Sequence, residues 1–406
     1  MVELLAPAGN IEKLKTAFHF GADACYFAGK RYGLRAFSDN FEEDELEKYI
    51  NYAHSLNKKC YITVNIIAHN KDFEGLKEYL QYLEKIGADA IIVADIGVAY
   101  FAKQVVPNLA IHISTQANIT NNYSAKFFED FGASRLILAR ELSLKEIEEM
   151  RKCLKPETEL ESFVHGAMCI SYSGRCLLSN YFTGRDSNGG ACVQACRWQY
   201  AISEKGKDDE NFYPIEEDER GTYILNSKDL CMIEHLPKLM DAGVTSFKIE
   251  GRMKSPYYVA TIVNAYRRAI DAYNRGEKEV SEELKNEVTK ASHRKYTTGF
   301  YRPNENNIKE EKECIETSMP VQKTTFMAVV LEQTKDGMVK VEQRNKFVVG
   351  DELEILSPDE NFNKTFKIEK IVNMNGEEVV EAKNVQEALY INCPFNLNPL
   401  DILRKE

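Results

Sequence analysis

Eight short apolar, β-rich runs, each followed by a longer amphipathic run, fill about the first 275 residues of this 406-residue chain. No other feature narrows the fold as far. Strands are expected at Glu3–Leu5, Ala22–Phe27, Cys60–Asn65, Ala88–Ala94, Ala110–Ser114, Arg135–Leu138, Leu160–Val164 and Thr245–Ile249. Strand and helix in regular alternation is the pattern of a parallel α/β fold, and eight repeats suit a closed (β/α)8 TIM-like barrel. An open doubly wound sheet is the competing arrangement. The sequence has no GxGxxG after its first strand and no GxxxxGK[ST] loop, so nucleotide-fold chemistry has no support.

In such a barrel, polar residues at strand C-termini converge on one mouth, where chemistry sits. The residues placed there are Asn65, Asp95, Ser114-Thr115-Gln116, Arg140-Glu141, His165 and Glu250-Gly251-Arg252. The seventh strand is followed by a long insertion, about residues 165–226, where a βα loop of about 2–6 residues is usual. A helical pattern is expected to resume near Asp229, with Cys231 at its start. The barrel domain is expected to span residues 1–303, with a polar linker at 304–318. From 319 to 406 the pattern changes to the runs Thr325–Leu331, Met338–Gln343, Glu352–Leu356 and Thr365–Val372, separated by turn signals such as Asp336-Gly337 and Asn375-Gly376. That reads as a small C-terminal antiparallel β-barrel with an accessory binding role.

Composition excludes some classes. No run approaches the roughly 20 apolar residues of a membrane span, and the N-terminus lacks the basic and apolar regions of a signal peptide, so a cytoplasmic protein with no membrane partner is expected. A net charge of -11 argues against a generic nucleic-acid coat protein. It leaves room for a local basic cleft, because Arg175, Arg185, Arg197, Arg252 and Lys254 flank the insertion or the strand that ends near it.

Inside that insertion and just beyond it lie Cys169, Cys176, Cys192, Cys196 and Cys231, spaced Cys-x6-Cys-x15-Cys-x3-Cys-x34-Cys. Thiols gathered this way in a chain without export signals suit a metal better than a disulfide framework. The spacing is not the paired CxxC of a zinc ribbon, so zinc is the second choice after iron–sulfur. Unligated cytosolic thiols are the bland alternative. Gly166, Gly174, Gly184, Gly189 and Gly190 permit the tight turns that wrap a backbone around a cluster.

The segment Glu161-Ser-Phe-Val-His165-Gly166-Ala-Met-Cys169-Ile-Ser-Tyr-Ser-Gly174-Arg-Cys176-Leu-Leu-Ser179, continued by Gly-Ala-Cys192-Val-Gln-Ala-Cys196-Arg197-Trp198, closely resembles the signature of the peptidase U32 family. So do Leu5-Ala-Pro-Ala-Gly9, Ser114-Thr-Gln116, Ala139-Arg140-Glu141-Leu142, Phe247-Lys-Ile-Glu250-Gly-Arg252-Met-Lys254-Ser255, Tyr296-Thr-Thr-Gly-Phe300-Tyr301 and the terminal barrel. The resemblance covers essentially the whole chain. It implies oxygen-independent hydroxylation with a [4Fe–4S] cluster held by four cysteines, in a family whose branches modify tRNA, ribosomal RNA and ubiquinone precursors. Ubiquinone-branch members are short and lack the terminal barrel, while the ribosomal RNA branch carries a longer extension. By that architecture the chain resembles the tRNA branch, which forms 5-hydroxyuridine at wobble position 34 with prephenate as hydroxyl donor. The implied cluster ligands are Cys169, Cys176, Cys192 and Cys231, with Cys196 as the alternative.

The implied partners are the tRNA anticodon region, prephenate and a homologous or identical second subunit. Prephenate carries two carboxylates, so Arg140, Arg252 and Lys254 are its candidate ligands. An Arg-Glu pair at a strand end is as often a salt bridge, which is the bland reading of Arg140-Glu141. His165 is placed as a general acid or base, with packing beside the cluster as its alternative. Glu250 and Gln116 could hydrogen-bond a uracil edge, or complete the barrel's polar layer. Tyr172, Tyr181 and Trp198 could stack an unstacked base, or form the insertion's own core. The rival functions are a collagenase-like peptidase, for which neither HExxH nor GxSxG is present, a hydroxylase of another acceptor such as rRNA, and a nonenzymatic RNA-binding protein with a structural metal.

Overall fold

The computed structural model describes residues 2–33, 41–168, 178–183, 192–195, 203–204, 213–214, 228–302 and 321–406. The proposed linker, 304–318, lies outside them, as do Cys169, Cys176, Cys196, Tyr172 and Trp198 and the side chain of Tyr181.

The eight expected barrel strands are present. They are β1 (Glu3–Pro7), β2 (Ala24–Phe27), β3 (Lys59–Val64), β4 (Ala90–Val93), β5 (Ala110–Ile113), β6 (Arg135–Ile137), β7 (Glu159–Ala167) and, after a short strand β8 (Asp229–Cys231), β9 (Ser246–Ile249). Successive strands pair in parallel, and β9 pairs with both β7 and β1, which closes the barrel. Ala, Ile, Val and Leu dominate because a strand in this position is covered on both faces. Helices α1 (Ile11–His19), α2 (Glu43–Ser55), α3 (Leu76–Lys85), α4 (Ile96–Val105), α5 (Asn122–Phe131) and α6 (Leu144–Cys153) each follow the strand of the same number. Several begin at a side-chain cap, including Asn10 for α1, Asn121 for α5 and Ser143 with Glu146 in a capping box for α6. Among the described residues no helix is long and apolar enough to cross a membrane.

In the barrel domain, the segment around Cys231 departs from the sequence reading. Cys231 does not open a helix: it ends β8, which runs antiparallel to the last turn of β7 and parallel to β10 (Tyr296–Thr297). The helical pattern resumes later, at α8 (Leu236–Asp241). The nine-residue β7 thus projects beyond the ring, and its extra residues are satisfied by β8 rather than by a barrel neighbour.

The C-terminal domain is an antiparallel sheet of eight strands in the order Thr365–Lys367, Glu352–Leu356, Ile402–Lys405, Thr325–Val330, Met338–Gln343, Ala388–Asn392, Ile371–Asn373, Glu378–Val379. The expected single strand Thr365–Val372 is two strands, the first at one end of that order and the second next to the other end, joined only by Ile368, Glu369 and Lys370. So short a link brings the ends of the sheet together, and the sheet curls around its own core of residues such as Val341, Leu353, Phe366 and Ile391. No ladder joins its two ends among the described strands, so the domain is a curled antiparallel sheet rather than a hydrogen-bonded closed barrel. At Asp336-Gly337 both residues have positive φ, 52° and 72°, the type I′ hairpin geometry the sequence pair favours.

The two domains share a built interface. Arg404 donates to both oxygens of Glu287 at 2.6 and 2.8 Å, with both side chains fully buried. Leu356 and Ile402 join the core of the barrel domain, and Tyr257 stacks on Phe326 at 5.7 Å between ring centroids. Tyr257 belongs to α9 (Pro256–Asn274), most of whose residues are buried because it packs on the barrel and also meets the second domain.

Candidate active site

Charge runs through the inside of the barrel. Arg135 on β6 reaches Glu3 on β1 at 2.6 Å, Glu159 at 2.7 Å and Glu161 on β7 at 3.0 Å. Lys248 on β9 donates to the other oxygen of Glu161 at 2.7 Å, and its ammonium lies 4.3 Å from the ring centre of Tyr26. Burial lowers the Lys248 pKa from its usual value, opposed by the Glu161 carboxylate. Each charge is paired, as burial demands, so this is the polar floor beneath the mouth. Sequence reasoning missed it. The available signal was a charged residue interrupting an apolar run in a doubly covered strand, as Glu161 and Lys248 do.

Above that floor, strand ends deliver the expected rim residues. Asn65 and Ser114 both donate to Gln116 Oε1, at 2.6 and 3.1 Å, which fixes the orientation of the amide. Asp95 is used differently from the rim role expected of it: its Oδ1 caps α4, accepting from Val98 N at 3.0 Å. Arg140 donates to the carbonyl of Ala167 at 3.1 Å and sits over the Phe163 ring at 5.5 Å. Arg140 and Glu141 form no ion pair with each other among the described contacts. Glu141 Oε2 is buried without a hydrogen-bond partner among the described residues, an acceptor of the kind a bound donor would complete.

On the other flank of β7, Glu250 N bonds His165 O at 2.8 Å, and Tyr258 donates to Glu250 O at 3.0 Å. Gly166 makes this crossing possible. Its φ is +111°, and a Cβ there would lie 2.6 Å from Glu250 O. Arg252 is buried, with its carbonyl accepting from Lys13 Nζ at 3.2 Å. Lys254 donates to Ser292 O at 3.2 Å and lies 5.0 Å from the Tyr258 ring centre.

His165 is enclosed. Its Nδ1 lies 3.2 Å from Tyr266 Oη and its Nε2 3.4 Å from Tyr296 Oη, with Tyr258 as a third ring beside it. Burial, with the positive fields of His293 and Lys254, lowers its pKa to about 3, so the imidazole is neutral near pH 7. Its partner across the β7–β8 ladder is Cys231, so both side chains leave the same face. Cys231 Sγ lies 3.9 Å from Tyr266 Oη, and burial pushes the thiol up to about 11. Cys192 follows α7 (Leu178–Thr183) and accepts from Gln194 N at 3.4 Å and Ser179 Oγ at 3.7 Å.

Whether these residues fit an iron–sulfur group can be tested on the two described sulfurs. Cys192 Sγ accepts from Gln194 N and Ser179 Oγ, and Cys231 Sγ lies 3.9 Å from Tyr266 Oη, where either atom could donate; a ligating thiolate would be the acceptor in both places. The strand that carries His165, facing Cys231, leads into Cys169 two residues after it ends. Among the described residues no three His, Cys, Asp or Glu side chains are placed to hold a metal ion, and the implied set of four is reached only with Cys169 and Cys176, which lie outside them. The structure brings together His165, Cys231, Glu250 and Tyr266. The last of these carries no motif and was missed, because nothing local marks a helical tyrosine whose partners lie 35 and 101 residues away.

The model of peptidase family U32 matches residues 9–311, and that of the family's C-terminal domain matches residues 322–404. The tRNA hydroxylation protein P1 of Bacillus subtilis is 41% identical over 409 residues, covering 99% of this chain and 94% of that protein. The tRNA hydroxylation protein P of Escherichia coli is 38% identical over 434 residues, covering 97% and 94%. A Porphyromonas gingivalis protein named collagenase is 34% identical over 284 residues, covering 68% of this chain and 66% of its own. With both domains matched in order, and with the signature residues of β7, β9 and β10 lining one rim, the chain belongs to the peptidase U32 family.

Proposed function

We propose that this protein is a tRNA-modifying hydroxylase that forms 5-hydroxyuridine at wobble position 34, with a [4Fe–4S] cluster as cofactor and prephenate as hydroxyl donor. The observation that carries the reading is likeness through both domains to proteins named for tRNA hydroxylation, at 41% and 38% identity. Cys169, Cys176, Cys192 and Cys231 would hold the cluster, with Cys196 the alternative to Cys192. A cluster bound there supplies one-electron transfer or a Lewis-acidic iron beside the base. Arg140, Arg252 and Lys254 would receive the two carboxylates of prephenate. The oriented NH2 of Gln116 would donate to a uracil carbonyl, and Glu141 or Glu250 would accept from its N–H or from a hydroxyl.

The peptidase reading has the family's name and the collagenase-named relative behind it. Physical chemistry opposes it. A cysteine nucleophile needs a lowered pKa and a basic histidine, and the one described pair, Cys231 with His165, does not supply them: Cys231 is raised to about 11 and His165 is lowered to about 3. The deciding experiment is deletion of the gene, followed by mass spectrometry of bulk tRNA nucleosides. Loss of 5-hydroxyuridine and its derivatives, restored by the gene in trans, is expected. Unchanged levels in a strain without a paralogue would refute the assignment.

A further inference from the structure

Tyr266 reaches the site from the middle of α9 with a fully buried ring, and its hydroxyl meets four groups. They are Val164 O at 2.8 Å, Met232 N at 3.2 Å, His165 Nδ1 at 3.2 Å and Cys231 Sγ at 3.9 Å. A phenol has one hydrogen to donate, so these contacts cannot all be satisfied in the same way. Met232 N–H can only donate. Val164 O can only accept, and it already accepts from Met232 N at 2.9 Å. In this structure the Tyr266 hydrogen goes to the carbonyl, which can do without it because Met232 N also serves it, and the sulfur at 3.9 Å is the alternative acceptor.

We propose that Tyr266 is a positioning residue for the metal group held by Cys231: it ends a hydrogen-bond chain, Tyr296 to His165 to Tyr266 to sulfur, that stabilises the reduced cluster. The proposal rests on the iron–sulfur reading above. With Cys231 as a thiol the sulfur is a weak acceptor and the carbonyl takes the hydrogen. With Cys231 as a ligating thiolate the acceptor is charged, and bonds to charged acceptors are roughly twice as strong as neutral ones. Rotation about the Tyr266 C–O bond is the only motion needed. No proton leaves its atom.

The rest of the chain follows from donor and acceptor counting. Because Tyr266 spends its hydrogen on the carbonyl or the sulfur, His165 Nδ1 must be the N–H that donates to Tyr266 Oη. His165 Nε2 then carries the lone pair, facing Tyr296 Oη at 3.4 Å. Tyr296 has its own second acceptor, Val288 O at 2.8 Å, so the outer link can also adjust. Tyr266 and His165 are both almost wholly buried, where such bonds are strong and polarise one another. Hydrogen bonds to cluster sulfurs favour the more negative, reduced state and so raise the reduction potential.

The test uses anaerobically purified, cluster-loaded full-length protein: wild type, Tyr266→Phe, and Tyr258→Phe as a control whose hydroxyl serves Glu250 O instead. Iron and sulfide are counted, and reduction by dithionite is followed by electron paramagnetic resonance against potential. Tyr266→Phe should keep its iron and shift the one-electron equilibrium about tenfold towards the oxidised form, about 59 mV more negative. Tyr258→Phe should match wild type. A second pair reads the chain without touching Tyr266: His165→Asn keeps an N–H near the Nδ1 position and should stay near the wild-type potential, while His165→Leu should fall below it. That pair decides if Tyr266→Phe does not fold. Iron-loaded variants that all share the wild-type potential would overturn the relay while leaving the cluster standing. Wild-type protein that takes up no iron or sulfide would overturn both.

Discussion

Breaking the Arg404–Glu287 pair at the domain interface should have different consequences depending on which partner is removed. Replacing Arg404 by Met leaves the fully buried Glu287 carboxylate with Lys290, at 3.6 Å, as its remaining ion-pair partner among the described residues and Arg268 as a more remote positive charge. Stranding a buried charge costs about 3–5 kcal/mol, and the distant lysine places this case near the lower end. Replacing Glu287 by Gln is milder, since Arg404 keeps Glu354 at 2.6 Å and Asn363 at 2.7 Å and loses only its bonds to the carboxylate, worth about 1.5–3 kcal/mol. The double variant should be more stable than the sum of the single losses predicts. Urea unfolding of the full chain, followed by far-ultraviolet circular dichroism, supplies the three differences. Equal losses for the two single variants, or a loss below about 1 kcal/mol for Arg404→Met, would refute the account of this interface.

Gly166→Ala should destabilise the protein, through about 1–2 kcal/mol of backbone strain and about 1–3 kcal/mol of overpacking against Glu250; wild-type stability in urea would contradict the steric reading. Glu129 is buried, which by itself would raise its pKa, but Lys126, the Thr158 hydroxyl and the Lys155 amide outweigh burial and hold it to about 2. A lowered folded-state pKa means that its contribution is complete above the ordinary value of 4.5 and is lost as pH falls from there towards 2. Glu129→Gln should therefore be less stable than wild type at neutral pH, with the gap narrowing through that window; a gap independent of pH counts against it. Cys231→Ser should lose most of its iron on anaerobic reconstitution, whereas Cys153→Ser, which changes an exposed thiol on α6, should bind as wild type does. Full iron loading of Cys231→Ser would remove that residue from the ligand set.

The barrel was legible because its strands are coded locally. Runs such as Cys60–Val64 and Ala90–Val93 are short, apolar and β-branched, and a helix pattern follows each, so neither needs a distant residue to be recognised. The strands of the second domain were equally plain, but where they pair was not. Residues 365–372 read as one strand, yet packing sends 365–367 and 371–373 to different neighbours. Cys231 was misread for a related reason: Asp229–Cys231 is a strand only because the overhanging end of β7 has backbone groups to satisfy.

What the sequence determined by itself was the order of elements, the barrel class, and the residue types gathered near one mouth. Those follow from periodicity and from side-chain chemistry within a few residues. Tertiary structure alone decided which groups share a proton or a charge: Arg135 with three carboxylates, Lys248 with Glu161, and Tyr266 inserted between His165 and Cys231. Such pairings depend on contacts between 2.6 and 3.9 Å made by residues far apart in the chain, set by how strands close and helices pack, and no local pattern encodes a distance of that kind.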